Sequence, residues 1–380
     1  MFEMKKKKVF FWSPMSSHVG TIKAVIGMAE SISSYNNYNI FILNIIGEFD
    51  KFKNIKYFNF IDFFRVEKII PKTGIFSKIF IHIFSFFSLP FLIYHVLKHK
   101  PDYFITCMVG YLPIFIKLFC KKTVIINSIQ GHPKLNFFRK FIWKFFYTKS
   151  DFLLTMTNIT RITLINFLAA SPKKIFKVDN PIISSEIKKK AMEDIDDVHR
   201  HIFSKKVFCS IGRLTRQKNF LELFLALEKY YNDYDKNFNL IVIGEGEDYF
   251  KLQKYINDHN IKNFFLLGFR QNPYNYLYRS NIYISTSLWE EPGHTLIEAG
   301  YLNVPILTSN CLTGPEEIII HKENGYKYRL NDINDFSSKL CELNSLSDQS
   351  LLQLKLNMKK ITKNYTGFKF INSLNKFLFI

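Results

Sequence analysis

The sequence predicts an α/β protein made of two doubly wound, Rossmann-like domains. Three observations predict it. Short β-type apolar runs alternate with helix-like stretches from Val9 onward, the pattern of a parallel sheet covered on both faces. The alternation runs twice, with a polar, charged stretch, Ser184 to Arg200, between the two series; such a stretch suits an interdomain connection. The chain has 380 residues, more than one hydrophobic core usually serves.

The first series opens at Val9–Trp12, passes Ser13-Pro14 and Gly20, and enters a helical stretch from Ile22 to Ile32. Strand, glycine-bearing loop and helix is how a doubly wound domain begins. Ile40–Asn44, Tyr103–Cys107, Thr123–Asn127 and Phe152–Thr155 continue as strands, and Val178-Asp179-Asn180-Pro181 reads as a terminating strand and turn. The second series is Val207–Ile211, Leu240–Ile243, Asn263–Leu267, Ile282–Ser285 and Pro305–Thr308. The apolar segment Phe368 to Ile380 reads as a helix. The boundaries expected are 1–183 for an N-terminal domain, 184–363 for a C-terminal domain, and 364–380 for a helix that packs back on the N-terminal domain.

Composition narrows the classes of function. The net charge is +20, which calls for an anionic partner: nucleic acid, an acidic membrane surface or phosphorylated substrates. Part of it is discounted, because Phe, Lys, Ile and Asn all have A/T-rich codons. No nucleic-acid-binding motif accompanies the charge, and a nucleic-acid partner is not expected. The five cysteines form no CxxC and no metal-type spacing, which fits a reducing compartment. Lys5 to Lys8 precede only a short apolar run, too short for the core of a signal peptide. Ile79 to Leu97 carries no formally charged residue and is long enough to span a bilayer. We read it as a helix broken near Pro90, because the strands on either side of it belong to one sheet and a single crossing would separate them.

Four stretches carry chemistry. Gly212-Arg213-Leu214-Thr215-Arg216-Gln217-Lys218 follows a strand and leads to a helix near Asn219. Free backbone N–H groups and the helix dipole favour phosphate there, and a guanidinium and an ammonium add charge. Gly244-Glu245-Gly246 is a tight turn after a strand that lets backbone approach a ligand. Glu290 and Glu298 flank a helix start near Gly293 or His294. Carboxylates accept paired hydrogen bonds from vicinal diols, and the helix start between them can face phosphate. Glu298 has apolar neighbours, Leu296, Ile297 and Ala299, so a buried setting is expected. Last come the strand around Pro305, the turn Gly314-Pro315-Glu316-Glu317, and Glu323-Asn324-Gly325.

In this order and spacing the four stretches resemble family-4 retaining glycosyltransferases of the GT-B fold, also called glycosyl transferases group 1. That family carries a G-R-L-x-x-x-K loop, a G-x-G turn, an E-x7-E element and a G-P-x-E-I-like turn, and all occur between Gly212 and Ile318. The N-terminal half resembles it more loosely, through Gly20, Pro101-Asp102 and Asn180-Pro181. The resemblance implies two Rossmann-like domains facing a cleft, the first binding acceptor and the second a nucleotide-diphosphate sugar. It implies that Arg213 and Lys218 contact the donor diphosphate and stabilise the leaving group, and that Glu298 binds ribose hydroxyls. Glu290 would face the donor sugar, with backbone at Gly293, His294 and Thr295 capping phosphate or sugar and Gly244 and Gly246 lining the donor site. Gly20 would leave room for diphosphate or acceptor. No cofactor and no metal site are implied, so Asp194-Ile195-Asp196 and Asp233-Tyr234-Asp235 are read as solvated surface.

The sequence departs from the family at two places. A histidine of the N-terminal domain is replaced within Ser128-Ile129-Gln130-Gly131-His132-Pro133, where either Gln130 or His132 would take its role, and Glu291-Pro292 stands where Gly-Phe is commoner. The implied acceptor is a saccharide or a lipid-linked saccharide of the cell-envelope or lipopolysaccharide type. Phe137 to Tyr147 wheels into an apolar arc opposed by Arg139, Lys140 and Lys144, either a helix packed on the sheet or one lying in a lipid interface. A cytoplasmic chain attached peripherally to an anionic inner leaflet is expected. Two rivals make different demands. An epimerase-like enzyme of the same fold needs a carboxylate pair in the N-terminal half, and a non-catalytic relative would have lost Arg213, Lys218 or Glu298.

Overall fold

The computed structural model describes residues 6–15, 20–34, 38–66, 69–70, 74–133, 136–168 and 171–378. They divide into two compact units, Met1–Ile182 with Gly367–Ile380, and Ile183–Thr366. Readings that fall on Lys5, on residues 16–19 and 379–380, or on the side chain of Phe138 lie outside the described residues.

The first unit runs β1 (Lys7–Trp12), α1 (Gly20–Ser33), β2 (Tyr38–Asn44), β3 (Phe58–Asp62), α2 (Gly74–Phe87), α3 (Leu89–His99), β4 (Tyr103–Thr106), β5 (Val124–Ile129), α4 (Phe137–Phe146), β6 (Phe152–Thr155), α5 (Asn158–Leu168) and β7 (Ile175–Lys177). Its strands form one parallel sheet in the order β3-β2-β1-β4-β5-β6-β7. Side chains alternate across a strand, so β1 feeds two cores. Val9 and Phe11 join the α1 side, while Phe10 and Trp12 join Leu92 and Val96 of α3 on the other. A strand apolar at every position therefore has a reason: both of its faces are covered.

The second unit runs α6 (Ser185–Ala191), β8 (Lys206–Ile211), α7 (Phe220–Asp233), β9 (Phe238–Ile243), α8 (Tyr249–Asp258), β10 (Phe264–Gly268), α9 (Tyr274–Tyr278), β11 (Ile282–Ser285), α10 (His294–Tyr301), β12 (Ile306–Ser309), α11 (Gly314–Ile318), β13 (Tyr326–Tyr328), α12 (Ile333–Asn344) and α13 (Asp348–Thr362). The parallel order is β10-β9-β8-β11-β12-β13. The chain then returns to the first unit as α14 (Gly367–Asn375). There Phe370, Ile371 and Leu374 enter the α1 core, and Phe377 stacks on Phe176 at 4.1 Å.

Three readings change. β3 and β13 were not foreseen, because one is an edge strand broken by Asn59 and Asp62 and the other has three residues. β7 lies at Ile175–Lys177, just ahead of the expected strand, and only the Val178 N–H continues its ladder, to the Thr155 carbonyl at 2.9 Å. The stretch after Ser184 is built into the second unit: Asn272 and Asn275 donate to the Lys190 and Asp194 carbonyls at 2.8 and 2.7 Å. Around Pro90, α2 and α3 meet at a 49° bend, and among the described residues no single helix is long and apolar enough to cross a membrane.

Both sheets reverse their strand order, beside β1 in the first and beside β8 in the second. In open α/β sheets the loops at the carboxyl ends of the strands flanking such a reversal part, and a ligand crevice forms there.

Candidate functional site

The loops after β8 and β11 leave the second sheet at its reversal, and they are latched together. The Leu288 N–H donates to the Gln217 carbonyl at 2.8 Å, and the Gln217 amide donates to the Trp289 carbonyl at 2.9 Å. The Thr286 hydroxyl reaches the Lys218 carbonyl at 3.0 Å. The basic loop and the glutamate loop, about 70 residues apart in sequence, thus form one wall. At its centre the Lys218 ammonium donates to a Glu290 carboxylate oxygen that also accepts from the Ser287 hydroxyl at 3.0 Å. Both side chains of the ion pair are more than four-fifths buried. Arg213 is exposed in the same loop, and among the described residues its guanidinium makes no hydrogen bond or ion pair.

The glutamate loop is braced from behind. The Gly314 N–H donates to the Glu290 carbonyl at 3.0 Å, and the Thr313 hydroxyl donates to the same oxygen. Gly293 then caps α10 with φ of +99°, and a Cβ there would stand 2.9 Å from Leu296 Cδ1 and 3.1 Å from Glu290 Cγ. Only glycine takes that turn without strain. His294 and Thr295 occupy the first turn of α10, the end that carries the positive pole of the helix dipole. Gly244 has φ of +153°, and a Cβ on it would sit 1.9 Å from the Gly212 carbonyl oxygen. The β9 turn therefore rests directly on the basic loop, and Gly246 abuts the Leu214 backbone in the same way.

Glu298 lies one turn into α10, 6% exposed, and accepts a hydrogen bond from the Tyr274 hydroxyl at 2.7 Å. Burial, then the negative charge of Glu298, pushes the Tyr274 phenol far above its usual range, so this tyrosine is a fixed donor. Tyr283 of β11 is the second tyrosine of the site. Burial, then Glu290, raises its phenol as well, the Thr295 hydroxyl opposes the shift by hydrogen bonding, and Glu298 adds to it. One buried ring thus senses both carboxylates and the start of α10. Neither tyrosine carries a local sequence signal; Tyr274 stands 24 positions before the carboxylate it holds.

In the first unit the candidates are tied to the scaffold. Gly20 is the first residue of α1. Gln130, just past β5, exchanges hydrogen bonds with the Asn180 side-chain amide, accepting at 2.8 Å and donating at 3.4 Å, and donates to the Ser128 hydroxyl at 2.7 Å. His132 is bonded through Nδ1 to the Thr160 hydroxyl at 2.8 Å, and burial lowers its pKa, which keeps the ring neutral at pH 7. The two aspartate triplets are surface ion pairs: Asp194 faces Arg279, Asp196 faces Arg270, Asp233 faces Lys229 and Asp235 faces Lys206.

Chemically, the second unit brings a buried cation, two carboxylates with fixed donors, and a helix start to the carboxyl edge of one sheet. That combination suits a ligand with phosphate at one point and diols on either side.

Two doubly wound sheets of seven and six parallel strands are the architecture of GT-B glycosyltransferases. The chain matches the crystal structure of Anabaena Alr3699/HepE in complex with UDP at a TM-score of 0.74 and 12% identity, over 97% of this chain and 98% of that one. Residues 192–364, within the second unit, match the model of the family described as glycosyl transferases group 1. An uncharacterized glycosyltransferase, MJ1059, of Methanocaldococcus jannaschii is 32% identical over 61% of this chain and 62% of its own length. N-acetylgalactosamine-N,N'-diacetylbacillosaminyl-diphospho-undecaprenol 4-alpha-N-acetylgalactosaminyltransferase of Campylobacter jejuni is 25% identical over 73% of this chain and 77% of its own. The match to MJ1059 thus spans less than two thirds of that relative.

Proposed function

We propose that this chain is a retaining glycosyltransferase that moves a sugar from a nucleotide-diphosphate sugar to a hydroxyl of a saccharide or lipid-linked saccharide. The observation that carries the reading is the meeting of Lys218, Glu290, the start of α10 and the tyrosine-held Glu298 beside the strand reversal of the second sheet. Arg213 and Lys218 take the charge that builds on the departing diphosphate, where preorganised cations contribute most. Glu298 accepts from ribose hydroxyls, Glu290 faces the donor sugar, and backbone at Gly293, His294 and Thr295 caps phosphate or sugar. Two side-chain cations carry the leaving-group charge, so the reading needs no metal and no cofactor.

In the step proposed, the acceptor oxygen bonds to C1 as the bond from C1 to the phosphate oxygen breaks. The acceptor proton passes to the departing phosphate on the same face, which retains the anomeric configuration without a protein nucleophile. On donor binding the Lys218 ammonium exchanges the Glu290 carboxylate for phosphate oxygens, which frees that carboxylate for the sugar. The activity for which the Campylobacter relative is named supports an acceptor on a lipid diphosphate, and with it a chain working at the inner face of the cell membrane.

A thermal-shift panel of UDP, GDP and ADP sugars tests the reading. One nucleotide class should raise Tm by a few degrees at about a hundred times its Kd, equivalent to roughly 2.7 kcal/mol. Lys218→Met and Glu298→Ala should each lose most of that shift. No shift with any nucleotide, or variants that respond like the parent, would end the proposal.

A further inference from the structure

α2 and α3 both leave large apolar side chains exposed. On α2 the residues turned into the protein are Ser77, Ile81 and Ser85, with Phe84 half-buried against the same core, and Ser88 at the bend is also fully buried. The outward residues are Phe76, Lys78, Ile79, Phe80, His82, Ile83, Phe86 and Phe87, with Phe86 and Phe87 both 62% exposed. α3 buries Leu92 and Val96 and turns Phe91, Tyr94 and Leu97 outward. A helix on a water-facing surface puts its apolar stripe inward and its polar stripe outward; α2 instead turns most of its large apolar side chains outward. Large contiguous apolar patches mark an interaction surface.

The patch continues onto α4. His82 of α2 is bonded to the Tyr111 hydroxyl at 2.8 Å, and the Tyr111 ring lies 5.9 Å from Phe146 of α4. The Arg139 charge is close enough to lower the pKa of His82, after burial. α4 itself exposes Phe137, Phe141 and Phe145. Its partly buried inner side, Ile142, Trp143 and Phe146, packs on the core around Tyr147.

Charge says what covers the patch. From residue 68 to 150 the sequence has 13 Lys and Arg against one acidic residue, Asp102. Over the whole first unit there are 28 Lys and Arg against nine Asp and Glu, a net of +19, and in the second unit 24 against 23, a net of +1. An apolar face set in so one-sided a positive field fits a surface that is apolar inside and anionic at its rim, which is a bilayer leaflet with acidic headgroups. We infer that α2, α3 and α4 form a lipid-facing surface that seats the first unit on an anionic bilayer, the bent α2–α3 pair entering the headgroup boundary without crossing. α2 has 14 residues and α3 has 11, which at 1.5 Å per residue is too short for either to span a core of about 30 Å. The inference rests on the reading above that the acceptor is membrane-borne.

Flotation of the full chain with vesicles tests it. Binding is expected to vesicles of equal parts phosphatidylglycerol and phosphatidylethanolamine, and little to phosphatidylcholine alone. The triple variant Phe86→Ser/Phe87→Ser/Phe91→Ser should lower the partition coefficient by at least about tenfold, with circular dichroism and the nucleotide thermal shift unchanged. Lys140→Gln/Lys144→Gln should reduce the preference for the anionic vesicles. Should the triple variant misfold, Phe86→Trp gives an independent readout: its added emission should move to shorter wavelength on vesicles and be quenched by brominated lipid chains. Added emission that stays water-like on anionic vesicles overturns the inference. So does self-association without lipid that buries Trp at position 86, which would assign the face to a second copy. The nucleotide shift, read on the same samples, separates failure of this surface from failure of the glycosyltransferase reading.

Discussion

At the scale of single residues, the site depends on side chains held by neighbours distant in sequence. Tyr274 donates to a nearly buried carboxylate, and a hydrogen bond to a charged group contributes about 1.5–3 kcal/mol. Tyr274→Phe should therefore weaken nucleotide binding by roughly tenfold or more, measured by titration calorimetry, and unchanged affinity would reduce Tyr274 to a packing residue. Glu48 makes a different prediction. It follows β2, fully buried, with Oε2 accepting from the Ile46 N–H at 2.8 Å and Oε1 unpartnered among the described residues. Burial pushes its carboxyl up from 4.5 to about 8, against opposing backbone hydrogen bonds. Between those values the folded chain keeps a proton that the unfolded chain has released. The contribution of Glu48 is thus fully present below about 4.5, declines as pH rises, and is gone above about 8. Glu48→Gln should flatten this slope and leave the variant more stable than the parent on the alkaline side, as read by denaturant midpoints across that range. Equal slopes for the two proteins would refute it.

At the scale of elements, much of the pattern was legible. β6 and β11 lie where their apolar runs put them, and α10 starts at His294 after its glycine. These features are local: a buried parallel strand is apolar throughout, and a left-handed cap selects glycine. β3 and β13 were not legible, because short edge strands carry polar residues and little periodicity. The α2–α3 segment was visible as apolar, but its direction was not. A helix apolar nearly all round gives no sequence sign of which stripe turns inward, and only packing shows that the serines do. In the candidate site, Lys218, Glu290 and Glu298 stood out because they follow strand ends at set spacings. Tyr274 and Tyr283 did not, since tyrosines on a short helix and a buried strand look like ordinary core.

At the scale of the whole molecule, the two units keep separate hydrophobic cores. One cluster gathers β8 to β13 with α7 and α12, and others gather around β1 on its two faces. Units with separate cores unfold as separate cooperative blocks. Calorimetry should show two transitions, and a bound nucleotide should raise the one belonging to Ile183–Thr366 while leaving the other in place. A single transition that moves as one body would mean that the units are thermodynamically fused. The division of charge, +19 against +1, belongs to this scale too: nearly all of the excess positive charge lies on the first unit.

By itself the sequence determined the alternating architecture, the number of sheets and the loops that form the candidate site. Each of these is written in neighbouring residues as periodicity, turn type or motif spacing. Only the tertiary structure decided that Lys218 rests on Glu290 across 72 positions and that Gln130 is tied to Asn180. It alone decided that α2 faces outward with Phe76, Phe80, Phe86 and Phe87. The physical reason is the same in each case: a through-space partner is chosen by how elements pack, and many distant side chains of the same type are equally compatible with the local sequence.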